Sequence, residues 1–214
     1  MLNNRLQACF VIDFNSSMEK YIDALKNQIV DIVEDIQNQH PRCDIEVALV
    51  GYAGVSDWPS NRLQPFSSDM QDLRAKFRNT GVSNSLKAGC RYVVEGYVKA
   101  NHLNWTANRR IMIHMGNAPS YGQQYHGNDV YDMFPTGHPC WTLEEEIKNI
   151  ASKNIDVVIL KISKTTTQME KLLETNYYDK RSKGFYLVDL TNKLNNLDDA
   201  VYEVVKNHLL KALV

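Results

Sequence analysis

The eight residues Ile155 to Ile162, IDVVILKI, are apolar almost without a break. A strand with one face in water alternates apolar and polar residues. A continuous run demands burial on both faces, as in a parallel sheet covered by helices on either side. Gln7 to Asp13, Ile45 to Tyr52 and Arg110 to Met115 are short apolar segments of the same kind, and Phe185 to Leu190 reads as a last strand. The segments between them have helical spacing. In Ser17 to Gln39, the residues Tyr21, Leu25, Ile29, Ile32, Val33 and Ile36 recur at three- and four-residue steps and form one apolar stripe. His40-Pro41 ends that helix, because proline cannot continue the hydrogen-bond ladder and restrains the residue before it. Further helices are predicted over Ser68 to Phe77 with Ser67 or Ser68 as N-cap, Ser85 to Ala100, Thr142 to Ser152, Thr166 to Glu174 and Leu194 to Leu213. Thr142 and Glu145 have the spacing of a capping box. Arg62 to Phe66 reads as a short strand that Pro65 confines to an edge. This alternation predicts a doubly wound α/β fold over residues 1–214 as a single domain. It has a mostly parallel central sheet of about six strands, helices on both faces and one antiparallel edge strand.

Composition excludes several classes of partner. Lys plus Arg number 24 and Asp plus Glu 25, a net charge of −1. Such a balance offers no electrostatic case for nucleic acid or an anionic membrane. No apolar run approaches the roughly 20 residues that span a bilayer, and the opening MLNNRLQ lacks the apolar core of a secretory signal. The four cysteines form no CxxC pair, and Cys9 and Cys90 fall in a predicted strand and helix, where a thiol acts as a small apolar group. A reduced, cytoplasmic setting is expected.

In a doubly wound sheet, ligands bind beyond the carboxyl ends of the strands, where strand order reverses. Three segments could meet there: Asp13-Phe14-Asn15-Ser16-Ser17, Thr80 to Ser85, and Gly116-Asn117-Ala118-Pro119. They supply oxygen atoms and little else, a donor set suited to hard cations such as Mg²⁺, Mn²⁺ or Ca²⁺. The same residues also suit plain structural roles. Asn15, Ser16 or Ser17 can cap the long helix, Ser83 or Ser85 the third, and Asn117-Ala118-Pro119 can form a turn.

The ordered motifs resemble those of a von Willebrand factor type A domain. More narrowly, they are similar to the A-type domains found beside atypical α-kinase catalytic domains. The resemblance rests on Asp13-Phe14-Asn15-Ser16-Ser17-Met18, Gly51-Tyr52-Ala53-Gly54 and Pro65-Phe66-Ser67-Ser68-Asp69. It continues through His114 to Pro119, Tyr125-His126, Pro135-Thr136-Gly137-His138-Pro139 and the rhythm of Trp141 to Lys164. It implies a metal-ion-dependent adhesion site in which Asp13 matches the first acid, Asn15 stands for the first hydroxyl residue and Ser17 matches the second. Ser83, with Ser85 as alternate, matches the threonine, and Asn117 stands for the second acid. In the family, an acidic residue of a partner protein completes the ion's coordination. Asn15 lacks a hydroxyl and Asn117 lacks a charge, so the resemblance implies an ion site that is weakened or lost, since fewer charged ligands bind divalent ions less tightly.

The function so implied is non-catalytic protein binding through the loops Phe14 to Ser16, Ala53 to Ser60 and Pro119 to Pro139. A second reading is a regulatory or targeting domain of, or derived from, an α-kinase polypeptide; the A-type fold is expected to take up all 214 residues and leave no kinase segment among them. A third is a hydrolase using the His and Asp residues of the long loop from Gly116 to Pro139. His126, Asp129, Asp132, His138 and Cys140 lie in or beside that loop, but their spacings match no zinc pattern, and a plain polar loop is the simpler reading. Tyr121, Tyr125, Tyr131, Phe134 and Trp141 bracket that loop; aromatics of this kind suit an interface, and some of them are expected to pack the loop down. His114, within a strand, reads as a hydrogen-bonded core residue.

Overall fold

The computed structural model describes residues 4–54, 63–82 and 89–213. The strands are β1 (Asn4–Asp13), β2 (Cys43–Tyr52), β3 (Leu63–Ser67), β4 (Arg109–Gly116), β5 (Asp156–Lys161) and β6 (Phe185–Asp189). The helices are α1 (Glu19–Gln39), α2 (Met70–Asn79), α3 (Val93–Asn101), α4 (Leu143–Ser152), α5 (Thr167–Tyr178) and α6 (Leu197–Leu213). One sheet carries all six strands in the order β3-β2-β1-β4-β5-β6. All neighbours are parallel except β3, which runs antiparallel to β2. That is the α/β architecture the alternation predicts, with Pro65 on an edge strand where its missing N–H costs no internal ladder bond.

The period of two along each strand divides the core in two. Leu6, Ala8, Phe10 and Ile12 of β1 face one side with Ile45, Val47, Leu49, Ile111, Ile113, Val158 and Leu160. The stripe of α1 and the buried faces of α2 and α6 cover that side. Cys9 and Val11 face the other side with Ala48, Val50, Met112, Val157 and Ile159, covered by α3, α4 and α5. The apolar run of β5 is thus explained residue by residue: alternate side chains enter different cores.

Three local expectations are corrected. The helix expected over Ser85 to Ala100 is α3, which begins at Val93; residues 83–88 lie outside the described residues. Cys90 therefore precedes the helix in an extended segment. The Arg91 N–H donates to the Pro119 carbonyl at 2.8 Å and the Arg91 carbonyl accepts from Tyr121 at 3.1 Å, so this backbone is committed to a bridge instead of a helical turn. The cap of α2 is Asp69, which accepts from the Asp72 N–H at 2.9 Å, and neither Ser67 nor Ser68. Finally, α5 continues to Tyr178, four residues past the expected end, burying Tyr177.

His114 does sit in the core. It is buried on the α3 side between two tyrosines, with Nε2 2.7 Å from Tyr52 Oη and Nδ1 3.1 Å from Tyr97 Oη. Burial pushes its pKa down from 6.5 to about 3. The folded protein therefore holds His114 neutral where an unfolded chain would protonate it, and the contribution to stability falls as the pH drops from about 6.5 toward about 3. Urea unfolding of the wild type and of His114→Gln at about pH 7 and about pH 4.5 tests this. The wild type is expected to lose about 2–3 kcal/mol more than the variant across that interval. Equal losses would show that His114 does not carry the acid sensitivity.

Candidate functional site

Strand order reverses between β1 and β4: the chain leaves β1 for β2 on one side and returns at β4 on the other. The crevice beyond their carboxyl ends is where this class of sheet binds ligands. Asp13 ends β1 and Asn117 follows β4 directly.

The polar residues after β1 first organise their own backbone. Asp13 is fully buried, and its Oδ1 accepts the Asn15 N–H at 3.0 Å. Asn15 caps the short 3-10 turn Ser16–Met18; its Oδ1 accepts the Ser17 N–H and Oγ–H, each at 3.2 Å. Asn117 closes the chain from the neighbouring strand, its amide nitrogen donating to Ser17 Oγ at 3.0 Å. The Thr165 hydroxyl donates to the Asn117 carbonyl at 3.1 Å and ties in the turn after β5. Asp13, Asn15, Ser17 and Asn117 therefore converge. Ser83 and its alternate Ser85 lie outside the described residues.

One residue at this site is absent from the sequence-based set. Arg91 places Nε 3.8 Å from Asp13 Oδ2, with the two side chains 7% and 0% exposed. Its guanidinium also donates to the Cys90 carbonyl at 2.8 Å, and its backbone is held by the bridge to residues 119–121. The buried carboxylate thus faces a fixed cation from the protein itself. A second buried pair stands at the end of β5, where Lys161 Nζ lies 2.8 Å from Glu170 Oε2 and donates to Thr167 Oγ1 at 2.6 Å.

The loop after β4 is folded onto this edge. Tyr92, Tyr121, Phe134, His138 and Trp141 form a chain of ring contacts. The Tyr125 hydroxyl donates to Glu144 at 2.7 Å and accepts the Leu143 N–H at 3.1 Å, fixing the start of α4. Phe14 is buried and forms no contact surface, against the expectation for it; Tyr121 and Tyr125 are buried and pack the loop down, while Tyr131, Met133 and Trp141 are exposed. Residues 55–60 of the expected Ala53 to Ser60 surface lie outside the described residues. Thr165, which bonds the Asn117 carbonyl, also lines an open groove of about 440 Å³ together with Asp129, Val130, Lys164, Gln168 and Lys171 among others.

Of the five loop residues singled out for chemistry, His126 and Asp132 meet, with Nε2 and Oδ2 2.9 Å apart. Asp129 and Cys140 are exposed, and His138 stacks on Trp141 while its Nδ1 accepts the Cys140 N–H at 3.1 Å. Cys90 joins His126 and Asp132, but burial pushes its thiol up to about 12. Both nitrogens of His126 already face oxygen atoms, the second being the Gly127 carbonyl. A thiol held protonated beside an occupied imidazole is not poised for nucleophilic attack.

No model of a known protein family matches the chain. It is 29% identical over 178 residues to the alpha-protein kinase vwkA of Dictyostelium discoideum, covering 81% of this chain and 27% of that protein. The chain thus spans about a quarter of that relative's length. Among solved structures, it is similar to the open conformation of the pilus adhesin SpaC from Lactobacillus rhamnosus GG. The TM-score is 0.63 at 13% identity, covering 100% of this chain and 30% of the adhesin. It is also similar to proximal thread matrix protein 1 of the mussel byssus, with a TM-score of 0.54 at 14% identity over 95% of this chain and 46% of that one. At such identities the likeness is one of fold.

The Arg91–Asp13 pair makes a direct prediction. Removing one partner of a buried pair leaves an uncompensated charge, so Arg91→Leu should destabilise the protein by about 3–5 kcal/mol. Combining it with Asp13→Asn should recover much of that loss. A double-mutant cycle by urea unfolding reads the coupling; additive losses would mean that the two side chains do not depend on each other.

Proposed function

We propose that this chain is a von Willebrand A-type module that binds another protein, non-catalytically, at the carboxyl edge of its sheet, with its ion-binding cluster weakened or lost. The observation that carries this reading is the donor set itself. Asp13 is the one carboxylate among the converging residues, and it faces the Arg91 guanidinium. Asn15 spends its oxygen on two donors of Ser17, and Asn117 turns an N–H toward Ser17 Oγ. Mg²⁺ needs a near-octahedral shell of oxygens and strong charge to give up its water, and Mn²⁺ or Ca²⁺ gain little more from one shared carboxylate. These residues do not fit a tightly held divalent ion.

An acidic residue of the partner would then find its positive charge elsewhere. Lys164 and Lys171 outnumber Asp129 in the lining of the groove, and exposed Tyr131 and Met133 belong to the adjoining loop. The four cysteines are free thiols, in keeping with a reduced, cytoplasmic setting. No described helix is long and apolar enough to cross a membrane.

A second reading, that the module serves an α-kinase, is favoured by the similarity to vwkA. Sequencing the complete transcript tests it: a kinase segment in the same open reading frame supports it, and a reading frame without one, together with no kinase among captured partners, removes it.

For the main reading, calorimetric titration with Mg²⁺ and Mn²⁺ should show no tight site in the wild type, and Asn117→Asp should raise affinity by about tenfold or more. Tight wild-type binding would overturn the loss of the ion. Partner capture from source cells should survive a chelator and fail with Lys164→Glu/Lys171→Glu. Capture that needs the metal, or that ignores the charge reversal, would remove the proposed mode of recognition.

A further inference from the structure

The long loop after β4 holds a second polar cluster, separate from Asp13, in which three different ligand types meet. Cys90 Sγ, a ring nitrogen of His126 and a carboxylate oxygen of Asp132 all lie within 4.8 Å of one another. Cys90 comes from the extended segment before α3, the other two from the loop. The His126 and Asp132 side chains are 1% and 4% exposed.

Their orientation is built. Asp132 is held by two backbone N–H groups, Gly122 to Oδ2 at 2.8 Å and Phe134 to Oδ1 at 2.7 Å. His126 Nδ1 lies 2.8 Å from the Gly127 carbonyl and Nε2 lies 2.9 Å from Asp132 Oδ2. A neutral imidazole has one N–H, yet here both nitrogens face acceptor oxygens. A cation seated between Nε2 and Oδ2 would satisfy both atoms while Nδ1 keeps its N–H on the Gly127 carbonyl. A metal-bound histidine has its other N–H on a carbonyl or carboxylate, as Nδ1 has here.

We propose that Cys90, His126 and Asp132 form a zinc site that clasps the loop to the segment ahead of α3. His126 would bind through Nε2, Asp132 through Oδ2 and Cys90 as the thiolate, its proton passing to solvent; a water molecule takes the fourth corner. Zinc bonds of about 2.0–2.3 Å to N, O and S put tetrahedral ligand atoms roughly 3.3–3.6 Å apart. The observed Nε2–Oδ2 separation needs to open by only a few tenths of an ångström. Charge also balances: thiolate and carboxylate neutralise the ion, which suits a buried position. The donor set of sulfur, imidazole and one carboxylate favours zinc over the hard cations considered for Asp13. Because Cys90 directly precedes Arg91, the clasp would also fix the guanidinium beside Asp13.

The test uses tag-free full chain, stripped with a chelator under anaerobic conditions and titrated with Co²⁺ as the spectroscopic stand-in for zinc. One equivalent should produce a thiolate-to-cobalt charge-transfer band that Zn²⁺ abolishes. Cys90→Ser should lose the band, His126→Asn should weaken binding by about tenfold or more, and Cys140→Ser, at an exposed thiol, should leave it unchanged. X-ray absorption of the zinc-loaded wild type should show one sulfur at about 2.3 Å among N and O ligands, an outcome that needs no variant to fold. No band, a band that survives Cys90→Ser, or a zinc shell without sulfur would overturn the site and leave His126 and Asp132 as a hydrogen-bonded pair. The Asp13 cluster offers only oxygen ligands and cannot produce a thiolate band, so the two readings fail independently.

Discussion

The placement of β1 governs the rest of the molecule. It is paired along its length with β2 on one edge and with β4 on the other, and it is buried on both faces. A strand so enclosed carries a polar group only where partners meet it: Gln7 is satisfied by Glu46 and the backbone of residues 106–107, and Asp13 stands at the carboxyl end. Asp13 is the last residue of the β1–β2 ladder, opposite Tyr52, at the point where strand order reverses. The turn that follows, the bridge of Arg91 to residues 119–121 and the approach of Asn117 are all arranged around it.

A buried carboxylate at such a point needs a positive partner. A bound divalent ion is one solution; a guanidinium supplied by the chain is another. In the reading proposed here the second has displaced the first. The substitution has a chemical corollary. An ion can leave two or three coordination positions open to a visiting carboxylate, whereas a planar guanidinium buried against Asp13 and Cys90 presents no such opening. Recognition then shifts to the rim, where lysines and exposed loop aromatics are available. The pairing of Lys161, at the end of β5, with Glu170 of α5 follows the same rule: charges brought to this edge of the sheet are met from within.

What the sequence revealed and what it hid divide along a physical line. The strands were legible because burial on both faces writes itself as unbroken apolar runs, and α1 because its stripe keeps helical spacing. Asp13, Asn15, Ser17 and Asn117 were found together because an ordered set of motifs, not local chemistry, linked residues about a hundred positions apart. Arg91 was missed for the converse reason. Nothing near it in the chain announces Asp13, and its segment passes for the first turns of a helix. What overrides that propensity is a backbone bridge to residues 119–121, a tertiary contact with no local signature. Cys90 was hidden by the same error, since a thiol in a helix reads as filler while one before it can meet His126 and Asp132. The α2 cap failed on a smaller scale: three candidate capping residues in a row, Ser67, Ser68 and Asp69, left the choice to geometry.

The strand order also sets a timetable for synthesis. β1 can pair with β2 early, but its other edge waits for β4, where Leu6 meets Arg109. At a ribosomal rate of ~5–20 residues per second, that edge stays open for roughly 5–20 s after β1 is made. During this interval the most apolar strand pair of the nascent chain offers unpaired backbone groups to any neighbour. Nascent-chain crowding on polysomes, more than the stability of the finished fold, is therefore the condition under which this topology is most exposed to misassembly.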